Sequence, residues 1–141
     1  SRAKLGFAVK DIIDNLPGAF IVYRADKEND EILLANSELL RLTGCKNMDE
    51  LLAYTGKSFC NLIRPDEQES CQKSIWSQIN GGHSNNYIFF HMRKADGTYI
   101  SVLDHGRIVD SVYNGRVFYV IIMDLKSLQR HFGDCLKLVE K

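Results

Sequence analysis

The spacing of apolar residues at the start of the chain predicts an amphipathic helix that Pro17-Gly18 ends. Five apolar residues fall on one face of this helix: Leu5, Val9, Ile12, Ile13 and Leu16. The pattern then changes to apolar, β-branched and aromatic residues in two short runs, Ala19 to Arg24 and Ile32 to Ala35. A polar stretch from Asp26 to Glu31 separates these runs, which predicts a hairpin of two strands.

Helix capping signals follow the hairpin. Asn36 is placed to cap a helix over 37–43 that ends at Gly44, and Asn47 to cap a helix over 48–54. A single turn is expected within 58–63, and Pro65-Asp66 begins a longer helix over 67–80 that ends at Gly81-Gly82. Several short helices therefore interrupt the β structure.

Three apolar runs, 87–93, 99–109 and 117–123, predict an antiparallel meander. The dipeptides Asp96-Gly97 and Asn114-Gly115 between them favour tight hairpin turns. Pairing of Ala95 with Thr98 would divide the side chains of the first two runs between two faces. One face would carry Ile88, Phe90, Met92, Leu103 and His105. The other face would carry Tyr87, Phe89, His91, Ile100 and Val102. Both faces are then apolar, so we expect the second face to be covered by the first helix, by a partner subunit or by both.

After Asp124 the apolar residues recur at steps of 3, 4, 3 and 4: Leu125, Leu128, Phe132, Cys135 and Val139. This spacing is typical of a coiled-coil seam, and equally of a terminal helix that packs on its own domain. Gly133 weakens both interpretations.

Composition narrows the class of protein. The 141 residues, 45% hydrophobic and 26% charged, fit one average globular domain. Eighteen basic and 18 acidic residues give no net charge, which disfavours nucleic acid as a partner, and no apolar run is long enough to insert in a membrane. The four cysteines lack metal-binding spacing and are expected to be buried thiols of a cytoplasmic protein, and the start at Ser1 suggests an excised piece.

The order of these elements resembles that of a PAS domain with its C-terminal PAC part, over roughly residues 12–126. Six segments carry the resemblance in the right order: Asp14 to Ala19, Ile32 to Gly44, Asn47 to Leu52, Gly56 to Asp66, Lys94 to Tyr99 and Met123 to Leu125. It implies an α+β fold, with a five-stranded antiparallel sheet in the order 2-1-5-4-3 and short helices across one face. The division that follows is an N-terminal helix (1–17), a PAS core (18–124) and a C-terminal signalling helix (125–141).

The resemblance also implies a role in sensing and dimerisation within a larger bacterial signalling protein. The absent output domain would be a diguanylate cyclase or a histidine kinase, as in two-component systems. The dimer would pair the terminal helices through Leu5, Val9, Ile12, Leu16, Leu125, Leu128 and Phe132. A ligand-free module that docks another protein, and a light or gas sensor with flavin or haem, are the alternatives.

Neither flavin nor haem is favoured by the residues. Light-sensing relatives carry a reactive cysteine in a G-x-N-C segment, and that position falls on Phe59, one residue before Cys60. The last strand also lacks the glutamine that would face a flavin. Haem-binding relatives supply a histidine from the long helix, which has none here, because His83 lies beyond Gly81-Gly82.

Catalytic and metal-binding motifs are absent from the sequence, so no catalytic or metal-binding residue is predicted. An unidentified small-molecule ligand is the remaining expectation. PAS cavities lie between the sheet and the long helix, which makes the following residues pocket candidates: Tyr23, Leu34, Phe59, Trp76, Ile79, Phe90 and Leu103, with His91 or His105 as a polar contact. The alternative is that these side chains only fill a core.

Overall fold

The computed structural model of the chain describes residues 6–133. Five strands form one antiparallel sheet in the order β2-β1-β5-β4-β3, which confirms the predicted fold. The strands are β1 (Ala19–Arg24), β2 (Ile32–Ala35), β3 (Asn85–Arg93), β4 (Tyr99–Ser111) and β5 (Gly115–Asp124). The helices are α1 (Val9–Asp14), α2 (Ser37–Thr43), α3 (Met48–Thr55), α4 (Gln68–Asn80) and α5 (Leu125–Phe132), with 3-10 turns at Phe59–Leu62 and Pro65–Glu67.

The two predicted helix caps form as the sequence indicates. The Asn36 side chain accepts a hydrogen bond from the Leu39 amide at the start of α2, and Asn47 accepts one from the Glu50 amide at the start of α3. Helix α2 ends at Gly44, whose φ of 78° lies in the left-handed region that glycine adopts without strain. Local side-chain chemistry therefore fixes both short helices.

Helices α2, α3 and α4 and the 3-10 turns cover one face of the sheet, here called the inner face. Strand residues on this face alternate with exposed or half-buried ones, as expected where one side of a sheet meets a core. Two layers of side chains meet in the core, and both are almost fully buried. The sheet contributes Ile21, Val102 and Ile122, and α4 contributes Ile75. The hydrophobic core thus lies between the sheet and α4.

The β3–β4 turn corrects the predicted face assignment. Arg93 pairs with Tyr99, and the Lys94 amide donates to the Thr98 carbonyl at 2.8 Å. The loop therefore holds three residues, Ala95 to Gly97, with Gly97 at φ 86°. The predicted pairing of Ala95 with Thr98 was wrong by one residue, and such a slip moves every side chain of one strand to the opposite face.

As a result, Ile100 and Val102 point inward with Ile88, Phe90 and Met92, whereas Leu103 and His105 point outward with Tyr87, Phe89 and His91. The two histidines, predicted on opposite faces, share the outer face. The outer face still carries apolar groups, including Tyr87, Phe89 and Tyr119, which are each about half exposed.

The terminal helices are only partly described. Helix α1 is shorter than predicted, since it begins at Val9 and ends at Asp14, where the Asn15 side chain donates to the Asp11 carbonyl at 2.7 Å. Val9 and Ile12 on α1 are exposed, and Leu16 is half-buried. At the other end Leu125 is buried, Leu128 half-buried and Phe132 exposed. Leu5, Cys135 and Val139 lie outside the described residues.

One fully buried side chain, Asn36, links α1, β1 and α2. Its amide nitrogen donates to the carbonyls of Ile13 at 2.7 Å and Gly18 at 3.0 Å. Its amide oxygen accepts from the amides of Phe20 at 2.9 Å and Leu39 at 3.0 Å. All four hydrogen-bonding positions of the amide are used, so Asn36 fixes how the chain passes from the first helix into the sheet.

We expect Asn36→Ala to lower the free energy of unfolding by about 3 kcal/mol, because it leaves several buried backbone groups without partners. Asn47→Ala is the matched control, since it removes an exposed cap that contributes about 1 kcal/mol. Urea unfolding of both variants measures the difference. Equal losses would show that the three additional bonds of Asn36 contribute nothing.

Candidate functional site

Aromatic rings fill the middle of the space between the sheet and the helices. Tyr23 on β1 stacks on Phe59 with ring centroids 3.9 Å apart, and Phe59 meets Phe90 on β3 edge-on at 6.3 Å. Phe118 on β5 contacts Tyr23 at 5.1 Å and Trp76 on α4 at 5.7 Å. Burial raises the pKa of the Tyr23 hydroxyl well above its usual range, so this hydroxyl stays protonated at neutral pH.

A groove of about 460 Å³ lies beside this aromatic cluster, between the β1–β2 loop, the first 3-10 turn and α4. Trp76, Cys60 and Gln72 line it together with charged side chains of the loop, and the Lys27 ammonium lies 5.5 Å from the Trp76 ring centroid. The Asp30 carboxylate accepts from the Ser58 hydroxyl at 2.8 Å and the Cys60 amide at 2.8 Å. These bonds hold the 3-10 turn against the loop.

The cysteine at this groove is held as a thiol. Burial, and then the nearby Asp30 carboxylate, raise the pKa of Cys60, and burial raises that of Cys71 to about 11. Because the thiolate is the reactive form, neither cysteine is poised as a nucleophile at neutral pH. Phe59, not Cys60, points into the interior, as its complete burial shows.

Two polar side chains are buried on the inner face without the partners that buried polar groups usually have. Asn86 on β3 and Asp104 on β4 are each 1% exposed. The Asn86 amide nitrogen and one carboxyl oxygen of Asp104 have no hydrogen-bond partner. Burial alone raises the pKa of Asp104 well above its usual range, which favours the neutral form of its carboxyl.

The predicted pocket candidates divide between two faces. Tyr23, Phe59 and Phe90 lie together in the interior, and Trp76 and the half-buried Ile79 on α4 pack against the same core. Leu34, Leu103, His91 and His105 lie on the outer face, so the structure does not bring them to the interior. The register slip described above accounts for the placement of Leu103 and His105.

His91 has a structural role at the edge of the sheet. Its ring Nδ1 lies 3.0 Å from a Glu67 carboxylate oxygen, and its backbone amide donates to the other oxygen at 2.8 Å. The Arg64 amide donates to the His91 carbonyl at 2.9 Å. Glu67 and Arg64 thus occupy backbone groups on the free edge of β3, which prevents that edge from pairing with another strand.

Sequence reasoning missed Asn86 and Asp104. A signal for Asp104 was present, because it is an acidic residue inside the otherwise apolar run of β4. With the register off by one residue, however, Asp104 would share a face with Tyr87 and Phe89 instead of Ile88 and Phe90. Asn86 carried no such signal, because asparagine is common near strand ends.

Within residues 6–133, no three His, Cys, Asp or Glu side chains are grouped so that they could hold a metal ion. Among the helices that the structure describes, none has both the length and the apolar character needed to span a membrane.

The fold defines a class of protein: a five-stranded antiparallel sheet with short helices across one face. The family model for the PAS fold matches residues 32–123, which is more than half of the chain. The chain therefore belongs to the PAS family. No curated protein sequence matches the chain.

Solved structures show the same fold at low sequence identity. A PAS domain from Desulfitobacterium hafniense superposes with a TM-score of 0.63 at 14% identity, over 81% of this chain and 98% of that one. A PAS domain of a LuxR-family transcriptional regulator from Burkholderia thailandensis, solved in complex with ethanol, gives 0.63 at 22% identity, over 85% and 99%. The light-oxygen-voltage (LOV) protein of Rhodobacter sphaeroides gives 0.65 at 17% identity, over 89% and 68%.

The interior packing of the described residues does not suit a flavin. Tyr23, Phe59 and Phe90 are each at most 4% exposed and contact one another across the space between sheet and helices. A tricyclic ring system placed there would have to separate these rings and lose their packing energy.

We expect Asp104 to make stability fall as pH rises. A carboxyl whose pKa is raised by folding binds its proton more tightly in the native state, so the loss begins above the unfolded pKa of about 4 and continues until the pH reaches the folded pKa. Asp104→Asn removes this dependence. As the pH rises through that window, the free energy of unfolding of Asp104→Asn should therefore increase relative to that of the parent by up to about 1.4 kcal/mol per pH unit.

Asp110→Asn is the control for this comparison, because Asp110 lies on the same strand but is exposed. Urea unfolding of the three proteins between pH 4.5 and 8 provides the test. A parallel pH dependence of the parent and Asp104→Asn would contradict a neutral buried carboxyl.

Proposed function

We propose that the chain is the sensory and dimerisation module of a larger cytoplasmic signalling protein. It passes a ligand-dependent or redox-dependent change through its terminal helices to a covalently linked output domain of the diguanylate cyclase or histidine kinase type. The PAS fold supports the sensory role. The observation that carries the dimer is the apolar outer face of the sheet.

The outer face presents rows of apolar and aromatic side chains across neighbouring strands. One row runs Phe20, Ile121, His105 and Tyr87, and the next runs Met123, Leu103 and Phe89. Their rings are ordered, since Tyr87 stacks on His105 at 4.3 Å and Phe20 meets Tyr119 edge-on at 5.7 Å. Contiguous exposed apolar patches of this kind mark interaction sites, and a two-fold axis would let the patch cover itself.

The terminal helices leave the sheet at a common point. Strands β1 and β5 are neighbours, with Ala19 opposite Ile122, so the end of α1 and the start of α5 lie close together. A groove lined by Pro17, Gly18, Asp124 and Leu128, among others, marks this junction. A change in sheet packing would reach both helices there.

The division into domains that we propose is the one predicted from the sequence: an N-terminal amphipathic helix over 1–17, a PAS core over 18–124 and a C-terminal signalling helix over 125–141. Signalling requires two arrangements of these helices that differ by only a few kcal/mol, so that a ligand or redox event can shift their populations.

A second candidate function is a ligand-free module that docks another protein through the same outer face. The mutual packing of Tyr23, Phe59 and Phe90 favours it, because these rings already fill much of the interior. Native mass spectrometry of the purified chain separates the two functions. A co-purifying small molecule supports the sensory module, and a bare chain supports the docking module.

We expect the chain to sediment as a dimer at tens of micromolar, and Tyr119→Arg to weaken the dimer at least tenfold. A charge at this central outer position, 47% exposed in the single chain, would be buried in the interface without a partner. Tyr113→Arg is the control, because Tyr113 is 93% exposed in the β4–β5 turn. Sedimentation velocity measures all three.

A fragment that lacks residues 1–16 tests the contribution of the first helix in the same experiment. Monomers for both the full chain and the fragment would remove the dimer from the proposal. An unchanged dimer in Tyr119→Arg would place the interface elsewhere.

A further inference from the structure

The inner face of the sheet contains two buried hydrogen-bonding atoms that lack partners. One is the Asn86 amide nitrogen, a donor, and the other is an oxygen of the Asp104 carboxyl, which in its neutral form both donates through its O–H and accepts through its carbonyl oxygen. Leaving such groups unpaired at 1% exposure lowers stability, and apolar residues at these positions would avoid that cost. Asn86 and Asp104 are therefore expected to serve a purpose other than packing.

The sheet register brings the two groups to the same place. Asn86 lies opposite Gly106, and Asp104 lies two residues from Gly106 on the same strand, opposite Ile88. Both side chains point to the inner face, so they are diagonal neighbours there. The next strand contributes Val120 and Ile122 beside them, which offer no hydrogen bonds.

Gly106 sets the position of the Asn86 amide. A Cβ atom at residue 106 would lie 3.1 Å from the Asn86 Oδ1 and 3.2 Å from its Nδ2. Glycine thus leaves room for the Asn86 amide to lie across β4. Gly106 needs no unusual φ, so its role is to leave space rather than to permit a special backbone conformation.

The charges of the surroundings limit what these groups can recognise. No Lys or Arg within residues 6–133 is buried, so an anion would find no partner beside Asn86 and Asp104. Burial raises the pKa of the Asp104 carboxyl and so favours its neutral form, which is a poor partner for a cation. An uncharged molecule meets neither penalty.

We propose that Asn86 and Asp104 together bind one small uncharged molecule that carries a hydrogen-bond donor next to an acceptor, as a primary amide does. The Asn86 N–H donates to the carbonyl oxygen of the ligand, and the carbonyl oxygen of the Asp104 carboxyl accepts from the ligand N–H. The apolar neighbours Ile88, Val120 and Ile122 exclude water from these bonds. This proposal rests on the proposed sensory function, and it names the chemical class of the signal.

The test uses acetamide and N,N-dimethylacetamide, two amides of which only the first has an N–H. Each is titrated to about 100 mM into the full 15N-labelled chain, because probes this small bind weakly. We expect acetamide to produce saturable shifts of the Asn86 side-chain amide and the Gly106 backbone amide. The dimethyl compound should bind at least tenfold more weakly, because it cannot donate to Asp104.

Variants tie the binding to the two side chains. Asp104→Leu and Asn86→Leu should each weaken acetamide binding about tenfold. The controls are Asp110→Leu, at an exposed position of the same strand as Asp104, and Asn85→Leu, next to Asn86 but on the outer face; neither should change acetamide binding. Gly106→Ala gives a variant that keeps both polar groups but displaces the Asn86 amide. It should weaken binding to a similar extent.

Three results would overturn the inference. The first is the absence of a saturable shift with acetamide, which would mean that water alone satisfies the pair. The second is equal binding of the two amides, and the third is unchanged acetamide binding in Asp104→Leu and Gly106→Ala. Sedimentation keeps these results apart from the proposed function. A chain that dimerises but does not bind acetamide loses only the ligand class, and a monomer that binds it loses only the dimer.

Discussion

The pairing of β3 with β4 across the three-residue turn at Ala95 to Gly97 decides which side chains face the helices. It turns Phe90, Val102 and Asp104 into the interior and leaves Phe89, Leu103 and His105 on the outer face. The buried polar pair and the apolar outer surface both follow from it. Because strand side chains alternate with a period of two, no partial shift of register exists that would keep one feature and lose the other.

Asn36 plays the corresponding role at the other end of the sheet. Its four hydrogen bonds join α1, β1 and α2, and the strand it supports, β1, pairs with β5, which leads into α5. The entry and the exit of the domain are thereby connected through one buried amide and one strand pair. A PAS module that transmits a change to its terminal helices needs such a rigid connection, since a loose junction would absorb the change.

The interior combines two kinds of packing. Tyr23, Phe59, Phe90 and Phe118 contact one another and form a stable aromatic cluster, and beside it Asn86 and Asp104 remain unpaired. The aromatic cluster stabilises the fold, whereas the unpaired polar atoms lower its stability at one defined place. Proteins retain buried polar groups without partners mainly at functional sites, which is why we assign ligand recognition to the polar pair rather than to the aromatic rings.

The sequence by itself determined the order of elements, both helix caps, the glycine that ends α2, the meander and the PAS fold. These features depend on residues close together in the chain: Asn36 with Leu39, Asn47 with Glu50, and Gly97 in its turn. The tertiary structure alone decided the faces of β4 and the burial of Asp104. It also decided that Leu34, Leu103, His91 and His105 lie outside the interior, and that Asn36 bonds to Ile13 as well as to its own helix. The physical reason is that one residue more or less in a turn changes little locally, whereas the burial of whole strands against the helices selects between the two registers.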